Sequence, residues 1–313
     1  MPYHLVTDYD YPPYRPPSEG DSALIRATRG CPWNKCEFCT MYKDIKFETR
    51  PVEDVKRDVD DAVDIFRGAK TVFIADSDSL VMKDAVDIIR HIRLRFPNVD
   101  RVTSYARAKT LMRLGPEKLA MLKEAGLTRV HVGLESGDAE TLAFMNKGAG
   151  PDEMIAGARA AKDAGLEVSL YVLIGAGGKE RLEEHALGSA RVCNAVNPDF
   201  IRLRTLIVQR GSLLEKKMDA GLYEVTGPLE KLEETRTFLE ALEADDCEFA
   251  SDHFTNNIWL DNTVIYRGVF GRLRQDKAGM LSVLDNAIGF LKVTEGEISD
   301  ATILYEKGII TGL

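Results

Sequence analysis

Six short apolar segments alternate with helix-like segments over the first two thirds of the chain, and this alternation constrains the fold more than any other feature. The segments are rich in Val, Ile, Leu or Tyr and are predicted as strands: residues 23–27, 71–75, 102–105, 129–134, 167–174 and 200–206. Six such units in series predict parallel strands joined by right-handed crossovers. The pattern allows an open doubly wound sheet or a barrel, although a full barrel needs eight units.

The segments between the strands have helical periodicity. One apolar stripe repeats at helical spacing, with Asp, Lys and Arg on the other face, and consists of Val52, Val55, Val59, Val63 and Phe66. Two further helices end in the similar sequences KEAGL and KDAGL. Gly126 and Gly165 are placed there to end each helix in a left-handed conformation before the next strand.

After residue 206 the alternation stops. Residues 227–244 and 276–291 are predicted as helices, and residues 248–275 are predicted to be irregular. We therefore expect an extended arm on the domain surface over residues 1–21, an α/β domain over 22–210, and a helical, loop-rich C-terminal cap that holds the substrate over 211–313.

Three of the five cysteines fall within the segment RGCPWNKCEFC, which follows the first predicted strand. Cys31, Cys36 and Cys39 have the spacing C-x4-C-x2-C, so one loop can bring three thiolates to one metal centre. A structural zinc site would need a fourth Cys or His at a matching spacing, and none lies near in sequence. Three thiolates with one open position suit a 4Fe–4S cluster in which one iron has no protein ligand. The end of a parallel strand is also where such sheets bind ligands.

The cysteine segment resembles the cluster loop of the radical S-adenosylmethionine (radical SAM) superfamily. The commonest spacing there is C-x3-C-x2-C with an aromatic residue before the last Cys; Phe38 takes that place here, and the first gap is one residue longer. The resemblance covers most of the first 210 residues and implies a partial (β/α)6 TIM-like barrel with an Elp3-like or coproporphyrinogen-dehydrogenase-like core. With YRPPSE and a late SDHxxN segment, the chain is similar to a bacterial and archaeal group without an assigned reaction.

The resemblance also implies SAM-binding roles at the ends of several strands. Asp76, Ser77 and Asp78 stand where the superfamily has a Gly-Gly-Glu-like stretch that binds the methionine amino group. The segment HVGLESG is similar to a Gly-x-Glu-Ser segment near the SAM ribose or methionine, which singles out Glu135. The segment LIGAGGKE resembles the stretch whose backbone meets the adenine, which singles out Gly175.

Each of these assignments has a structural alternative. Glu135 can be an exposed carboxylate at a loop start, and the glycines after the fifth strand can form a plain strand-to-helix turn. The acids after the second strand can be solvated or can cap the next helix. Arg202 and Arg204 alternate with apolar residues on the sixth strand, where they could meet the SAM carboxylate or a substrate anion.

The remaining candidates lie at the third strand and in the cap. Ser104 is a candidate for cofactor binding and Tyr105 for catalysis, although Tyr105 could equally serve packing. Asp252, His253 and Asn257 fall within seven polar-rich residues that could hold a polar substrate or act as acid and base. The structural alternative is a turn rich in side-chain caps.

Composition limits the partners. Lys plus Arg total 41 and Asp plus Glu total 50, so the formal charge is −9, which disfavours nucleic acid or an anionic membrane as the main partner. The N-terminus lacks signal-peptide character and no segment suits a membrane span, so we expect a cytoplasmic protein. About twenty residues precede the first strand, which we expect to be too few for an N-terminal cobalamin-binding domain.

The resemblance implies an enzyme that reductively cleaves SAM at the cluster to a 5′-deoxyadenosyl radical, which abstracts hydrogen from its substrate. Reduced flavodoxin or ferredoxin is the expected electron donor. A small or medium polar metabolite under the cap is the expected substrate. The alternatives are an iron–sulfur electron-transfer protein and a radical SAM enzyme that modifies RNA or a peptide.

Overall fold

The computed structural model describes residues 14–261 and 263–310, so most of the predicted arm, residues 1–13, lies outside the described residues. The strands are β1 Ala23–Arg26, β2 Thr28–Arg29, β3 Glu48–Thr49, β4 Thr71–Ala75, β5 Arg101–Tyr105, β6 Arg129–Glu135, β7 Glu167–Ile174, β8 Phe200–Thr205, β9 Glu248–Ala250, β10 Ile258–Leu260, β11 Thr263–Tyr266, β12 Phe270–Arg272 and β13 Ile298–Asp300. The helices are α1 Val52–Ile65, α2 Ala85–Arg95, α3 Ala108–Ala125, α4 Ala139–Phe144, α5 Pro151–Asp163, α6 Leu182–Val196, α7 Leu213–Asp219, α8 Pro228–Ala241, α9 Leu273–Val293 and α10 Ala301–Glu306.

Eight strands form a mostly parallel sheet in the order β1-β4-β5-β6-β7-β8-β9-β12. The six predicted strands are β1, β4, β5, β6, β7 and β8, and their ends differ from the prediction by at most one residue. The parallel register pairs Ala23 with Val72 and Tyr171 with Arg202. The predicted α/β fold with a partial barrel core is confirmed.

The prediction that residues 248–275 are irregular is wrong. β9 pairs parallel with β8 and β12 pairs antiparallel with β9, so this region extends the main sheet. A second sheet has the order β11-β10-β13. Strands of three or four residues are too short to show a periodic pattern, and they form here because a neighbouring strand offers its hydrogen-bonding edge.

The predicted helical features are present. α1 buries Val55 and Val59 of the predicted apolar stripe, together with Ala62, whereas the other stripe residues, Val52, Val63 and Phe66, are half-buried. Gly126 ends α3 with a φ of 112°, and Gly165 follows α5 with a φ of 81°. Glycine suits both positions because a side chain disfavours positive φ. Of the helices in the described part of the chain, none has the length and apolar character that a bilayer crossing demands.

The chain divides into two compact units. The first comprises the described residues of Met1–Asn34, Met41–Val132 and Ala156–Val168, and the second comprises those of Lys35–Thr40, Gly133–Ile155 and Ser169–Leu313. The predicted boundaries at residues 21 and 210 follow sequence patterns rather than these units and stay a prediction.

The core of the first unit includes a buried polar group from the arm. Glu19 is fully buried, which differs from the surface position expected for the arm. Its carboxylate accepts hydrogen bonds from Ser22 at 2.6 Å and Arg101 at 3.2 Å, and Oε1 lies 3.0 Å from Nε2 of His131. Burial alone would raise the pKa of Glu19, but the hydrogen bonds and charges of these partners outweigh it and lower the pKa.

Candidate cluster and cofactor site

The beginning of the cysteine loop is held by the residues that follow β4. Gly30 has a φ of 78°, donates its N–H to Asp76 Oδ2 at 3.0 Å, and accepts a hydrogen bond from the Ser77 hydroxyl at 2.9 Å. Asp76 also forms an ion pair with Arg26 at 3.2 Å, and both side chains are buried. Asp76 is therefore no solvated loop acid, and its carboxylate positions the residue before Cys31.

The turn around Cys31 is also fixed. The Asn34 N–H lies 3.4 Å from the Cys31 sulfur, and the Asn34 carbonyl accepts a hydrogen bond from Lys43 at 3.0 Å. The Asn34 side chain donates to the Tyr42 carbonyl at 2.5 Å. Asn34 has a positive φ of 48°, which Asn tolerates better than most residues. The loop therefore depends on Asn34 as well as on its glycine.

In the second unit, the Cys36–Cys39 half of the loop is anchored to two helix ends. The Glu37 N–H donates to the Met145 carbonyl at 2.9 Å, and the Glu37 carbonyl accepts from the Leu214 N–H at 3.0 Å. Phe38 packs against the apolar cluster that contains Met145 and Leu214. The aromatic residue that the sequence singled out thus fixes this half of the loop by packing.

The donor set of the loop fits the chemistry of a 4Fe–4S cluster. Cys31, Cys36 and Cys39 are all half-buried, and three thiolates match a cluster with one iron open to an exogenous ligand. Among the described residues, no three His, Cys, Asp or Glu side chains are gathered closely enough to hold a single metal ion. A 4Fe–4S cluster does not require its ligands to meet at a single metal ion, because each thiolate binds a different iron atom.

Asp78 is the second acid after β4, and its two carboxylate oxygens have different surroundings. Its side chain is fully buried, and Oδ2 accepts a hydrogen bond from the Thr110 hydroxyl at 2.6 Å. Oδ1 has no hydrogen-bond partner in the part of the chain that the structure describes. Burial raises the pKa of Asp78 to about 7, against the opposing effects of Thr110 and Arg107. This carboxylate can therefore accept a hydrogen bond from a cationic group in the first unit.

Glu135 ends β6 in an unusual backbone conformation. Its φ is 62°, which is rare for a residue with a side chain, and Lys147 lies 2.6 Å from its Oε1. Both side chains are mostly buried, at 16% and 13% exposure. Glu135 is therefore a paired carboxylate, and the alternative of an exposed acid at a loop start does not hold.

The turn after β7 is held by residues that the sequence did not single out. Gly175 has a φ of 88°, its N–H lies 3.0 Å from both carboxylate oxygens of Glu234, and its carbonyl accepts the Tyr223 hydroxyl at 2.6 Å. His185 lies 3.1 Å from Glu234 through Nε2 and 2.7 Å from the Ser136 hydroxyl through Nδ1. This buried network joins the ends of β6 and β7.

Ser104 and Tyr105 lie at the end of β5 and point to opposite faces. The Ser104 hydroxyl is fully buried and donates to the carbonyls of Ile74 and Tyr105 at 3.2 and 2.9 Å. The ring of Tyr105 makes edge contacts with Phe73 and His131, at centroid distances of 5.1 and 6.0 Å. These contacts support the packing alternative for Tyr105, and both functional assignments stay predictions.

Arg202 and Arg204 share one half-buried face of β8. Arg202 forms an ion pair with Glu248 at 3.2 Å. The Arg204 guanidinium lies 5.5 Å from the centroid of the Tyr171 ring and donates to the Leu203 carbonyl at 2.8 Å. Arg202 therefore pairs with a carboxylate of the protein itself, which comes from the missed strand β9, and its predicted role in binding an anion stays a prediction.

The polar stretch of the cap separates into residues with different surroundings. Asp252 is exposed, and His253 caps the turn that follows it by accepting from Thr255. Burial, with a contribution from the charge of Arg204, lowers the pKa of His253 to about 4, so its imidazole is neutral at neutral pH. His253 can then accept a proton or a hydrogen bond but cannot serve as a cationic acid.

Asn257 lines a small cavity at the carboxyl ends of β7 and β8. The cavity has a volume of about 20 Å³ and is lined by Ile174, Thr205, Lys231, Leu232, Thr235, Ser251, Thr255, Asn256, Asn257, Ile258, Tyr266 and Asp300. Asn256 ties this wall to β8 through Thr205 at 2.9 Å and the Leu203 carbonyl at 3.0 Å. The second unit thus holds Asn257 and His253 near the end of β8.

The chain is similar to known proteins in sequence and in fold. The sequence matches the radical SAM superfamily over residues 25–187, just over half of the chain. An uncharacterized methyltransferase of Pyrococcus horikoshii is 30% identical over 168 residues, which cover 52% of this chain and 35% of the relative. The structure of methylornithine synthase has a TM-score of 0.50 and 19% identity, over 71% of this chain and 64% of that chain. The Elp3 of Methanocaldococcus infernus has a TM-score of 0.48 and 13% identity, over 93% of this chain and 69% of that chain.

This chain belongs to the radical SAM superfamily and is an enzyme of that family. Its cofactors are accordingly a 4Fe–4S cluster and SAM. The chain spans about a third of the length of the curated relative it matches, and the likeness to methylornithine synthase supports the fold alone.

Proposed function

We propose that this enzyme abstracts a hydrogen atom from a small or medium-sized polar metabolite. When bound, the cluster and SAM supply the electron and the 5′-deoxyadenosyl radical for this step. The observation that carries the proposal is the Cys loop, whose three half-buried thiols follow β1 and whose main chain is anchored on both sides. The role of the protein is to hold the reacting groups in place and exclude water.

Different residues are proposed to bind the cluster and the different chemical groups of SAM. Cys31, Cys36 and Cys39 would hold the cluster. The carboxylate of Asp78 would accept a hydrogen bond from the methionine amino group, because its buried Oδ1 has no hydrogen-bond partner among the described residues. The Gly175 turn would meet the nucleoside, and Arg204 would meet a carboxylate. These roles follow the superfamily resemblance together with the contacts of each residue.

The substrate side of the site is proposed to lie in the second unit. The neutral imidazole of His253 and the amide of Asn257 offer uncharged hydrogen-bonding groups, which suit a polar metabolite more than a polyanion. We propose cytoplasmic localisation and reduced flavodoxin or ferredoxin as the electron donor, since the reaction needs a one-electron reductant.

Methyl transfer is a second candidate. The relative from Pyrococcus horikoshii carries the name methyltransferase and shares 30% identity with this chain over 168 residues. A methyltransferase would release S-adenosylhomocysteine, whereas hydrogen abstraction yields 5′-deoxyadenosine and methionine. The formation of S-adenosylhomocysteine therefore separates the candidates.

The test is an anaerobic assay of the reconstituted protein with dithionite and SAM. We expect 5′-deoxyadenosine from the wild type and none from Cys36→Ala. Cys193→Ala is the matched control, because it removes a buried thiol from α6, outside the loop. With candidate metabolites added as methyl acceptors, formation of S-adenosylhomocysteine would favour methyl transfer. A cluster that forms but cleaves no SAM would overturn the proposal and favour an electron carrier.

A further inference from the structure

We propose that Glu37 and Lys217 act on the reduction potential of the cluster as two opposite charges, each of which compensates the effect of the other. This inference rests on the proposed role of Cys36 and Cys39 as cluster ligands. Glu37 follows Cys36 directly and is two residues from Cys39, so its carboxylate belongs to the loop that would surround the iron. The Lys217 ammonium lies 2.5 Å from Glu37 Oε2.

Lys217 is held in this position by α4. Its ammonium donates to the Phe144 carbonyl at 2.8 Å, and it lies 3.9 Å from the centroid of the Phe144 ring. A lysine near the last carbonyls of a helix also gains from the helix dipole. The cation therefore has three interactions in one place, which an ordinary surface lysine lacks.

The main chain of Glu37 is also held in place, by two hydrogen bonds. Its N–H is bonded to Met145 and its carbonyl to Leu214, and Phe38 beside it packs into the apolar cluster. The side chains of Glu37 and Lys217 are 16% and 27% exposed. Moving either charge into bulk solvent would break the ion pair, and the main chain of Glu37 directly follows Cys36.

Fixed charges beside a cluster change the free energy of adding an electron. The potential of an iron–sulfur centre depends on net charge, hydrogen bonding and solvent exposure. A carboxylate opposes reduction and an ammonium favours it, and partial burial weakens the screening of both by water and salt. As a pair the two charges largely cancel, so removal of either one exposes the field of the other.

The experiment measures the midpoint potential of the anaerobically reconstituted protein by a redox titration followed by electron paramagnetic resonance. We expect Glu37→Gln to shift the potential upward and Lys217→Gln to shift it downward. The double variant should return close to the wild type. A merely structural role would move both single variants in the same direction, or would lower the cluster content without moving the potential.

Conservative variants and a distant pair provide the controls. Glu37→Asp and Lys217→Arg keep the charges, and we expect potentials near the wild type even if cluster content falls. Glu233→Gln and Lys292→Gln remove an ion pair of α8 and α9 with a 2.8 Å separation in the same unit, and should leave the potential unchanged.

The outcomes separate this inference from the proposed function. Unchanged potentials in both single variants, or shifts of the same sign, would overturn the inference alone. Formation of the same cluster in Cys36→Ala as in the wild type would overturn the ligand assignment and this inference with it. Opposite shifts with restoration in the double variant would support the charge pair.

Discussion

At the residue scale, hydrogen-bond partners distinguish two buried aspartates that look alike in sequence. Asp76 is engaged by Arg26 and the Gly30 N–H, whereas Asp78 has one oxygen bonded to Thr110 and one without a partner among the described residues. An acid that is buried without a full set of donors holds its proton more tightly. The pKa of Asp78 at about 7 reflects this.

The raised pKa of Asp78 predicts a pH-dependent cost to stability. Between its ordinary value of 3.8 and about 7, the folded protein keeps a proton that the unfolded chain releases. The free energy of unfolding of the wild type therefore falls across this window, by at most about 4 kcal/mol, and the loss is complete above pH 7. Asp78→Asn stays neutral, so its stability relative to the wild type should rise from pH 4 to 7 and then level off.

Urea unfolding followed by circular dichroism at pH 5, 6, 7 and 8 measures this difference. Asp87→Asn is the control, because Asp87 is an exposed acid on α2. We expect its difference from the wild type to change little over the same range. Parallel pH profiles for the wild type and Asp78→Asn would contradict the prediction.

At the element scale, the end of β6 and helix α6 meet through two glycines. A Cβ added to Gly137 would lie 2.1 Å from the Gly188 carbonyl oxygen, and one added to Gly188 would lie 2.9 Å from the same atom of Gly137. Both obstacles are backbone atoms, which cannot move aside as a flexible side chain can. This close approach lets His185 of α6 reach Ser136.

Gly137→Ala should therefore lower the free energy of unfolding by about 1–3 kcal/mol, because the added methyl group forces the two elements apart. Gly279→Ala is a matched control in the exposed face of α9, where an added Cβ has no atom within 4 Å. The control should raise stability by about 0.5–1 kcal/mol through helix propensity. Urea unfolding of both variants measures the effects, and equal effects would contradict the close approach.

At the scale of the whole molecule, residues that are far apart in sequence form a buried polar group. Glu19 and His131 are separated by 112 positions, yet both are fully buried and in contact. Arg101 from β5 completes the group. Loss of the carboxylate would leave Ser22, Arg101 and His131 without their shared partner.

Glu19→Ala should lower the free energy of unfolding by about 3–5 kcal/mol, as expected when one partner of a buried ion pair is removed. Glu19→Gln should cost less, because the amide oxygen can still accept hydrogen bonds. Glu53→Ala is the control: Glu53 is exposed on α1, and a change within about 0.5 kcal/mol is expected. A Glu19→Ala effect as small as the control would show that the buried group contributes little.

The sequence by itself determined the six parallel strands, their helices and the cysteine spacing. These features depend on periodicity and local spacing, which can be read along the chain without knowing where distant residues lie. It also placed the candidate residues at the ends of β4, β6 and β7, because the strand ends were predicted to within one residue.

Only the tertiary structure decided the partners of those candidates. Glu234 reads in sequence as one more acid of an acidic helix, and nothing local shows that its carboxylate meets Gly175, 59 positions away. Strand β9 is too short for a periodic signal, yet it supplies the partner of Arg202. Such contacts follow from chain topology and burial, which arise when distant segments pack together, so a local pattern cannot contain them.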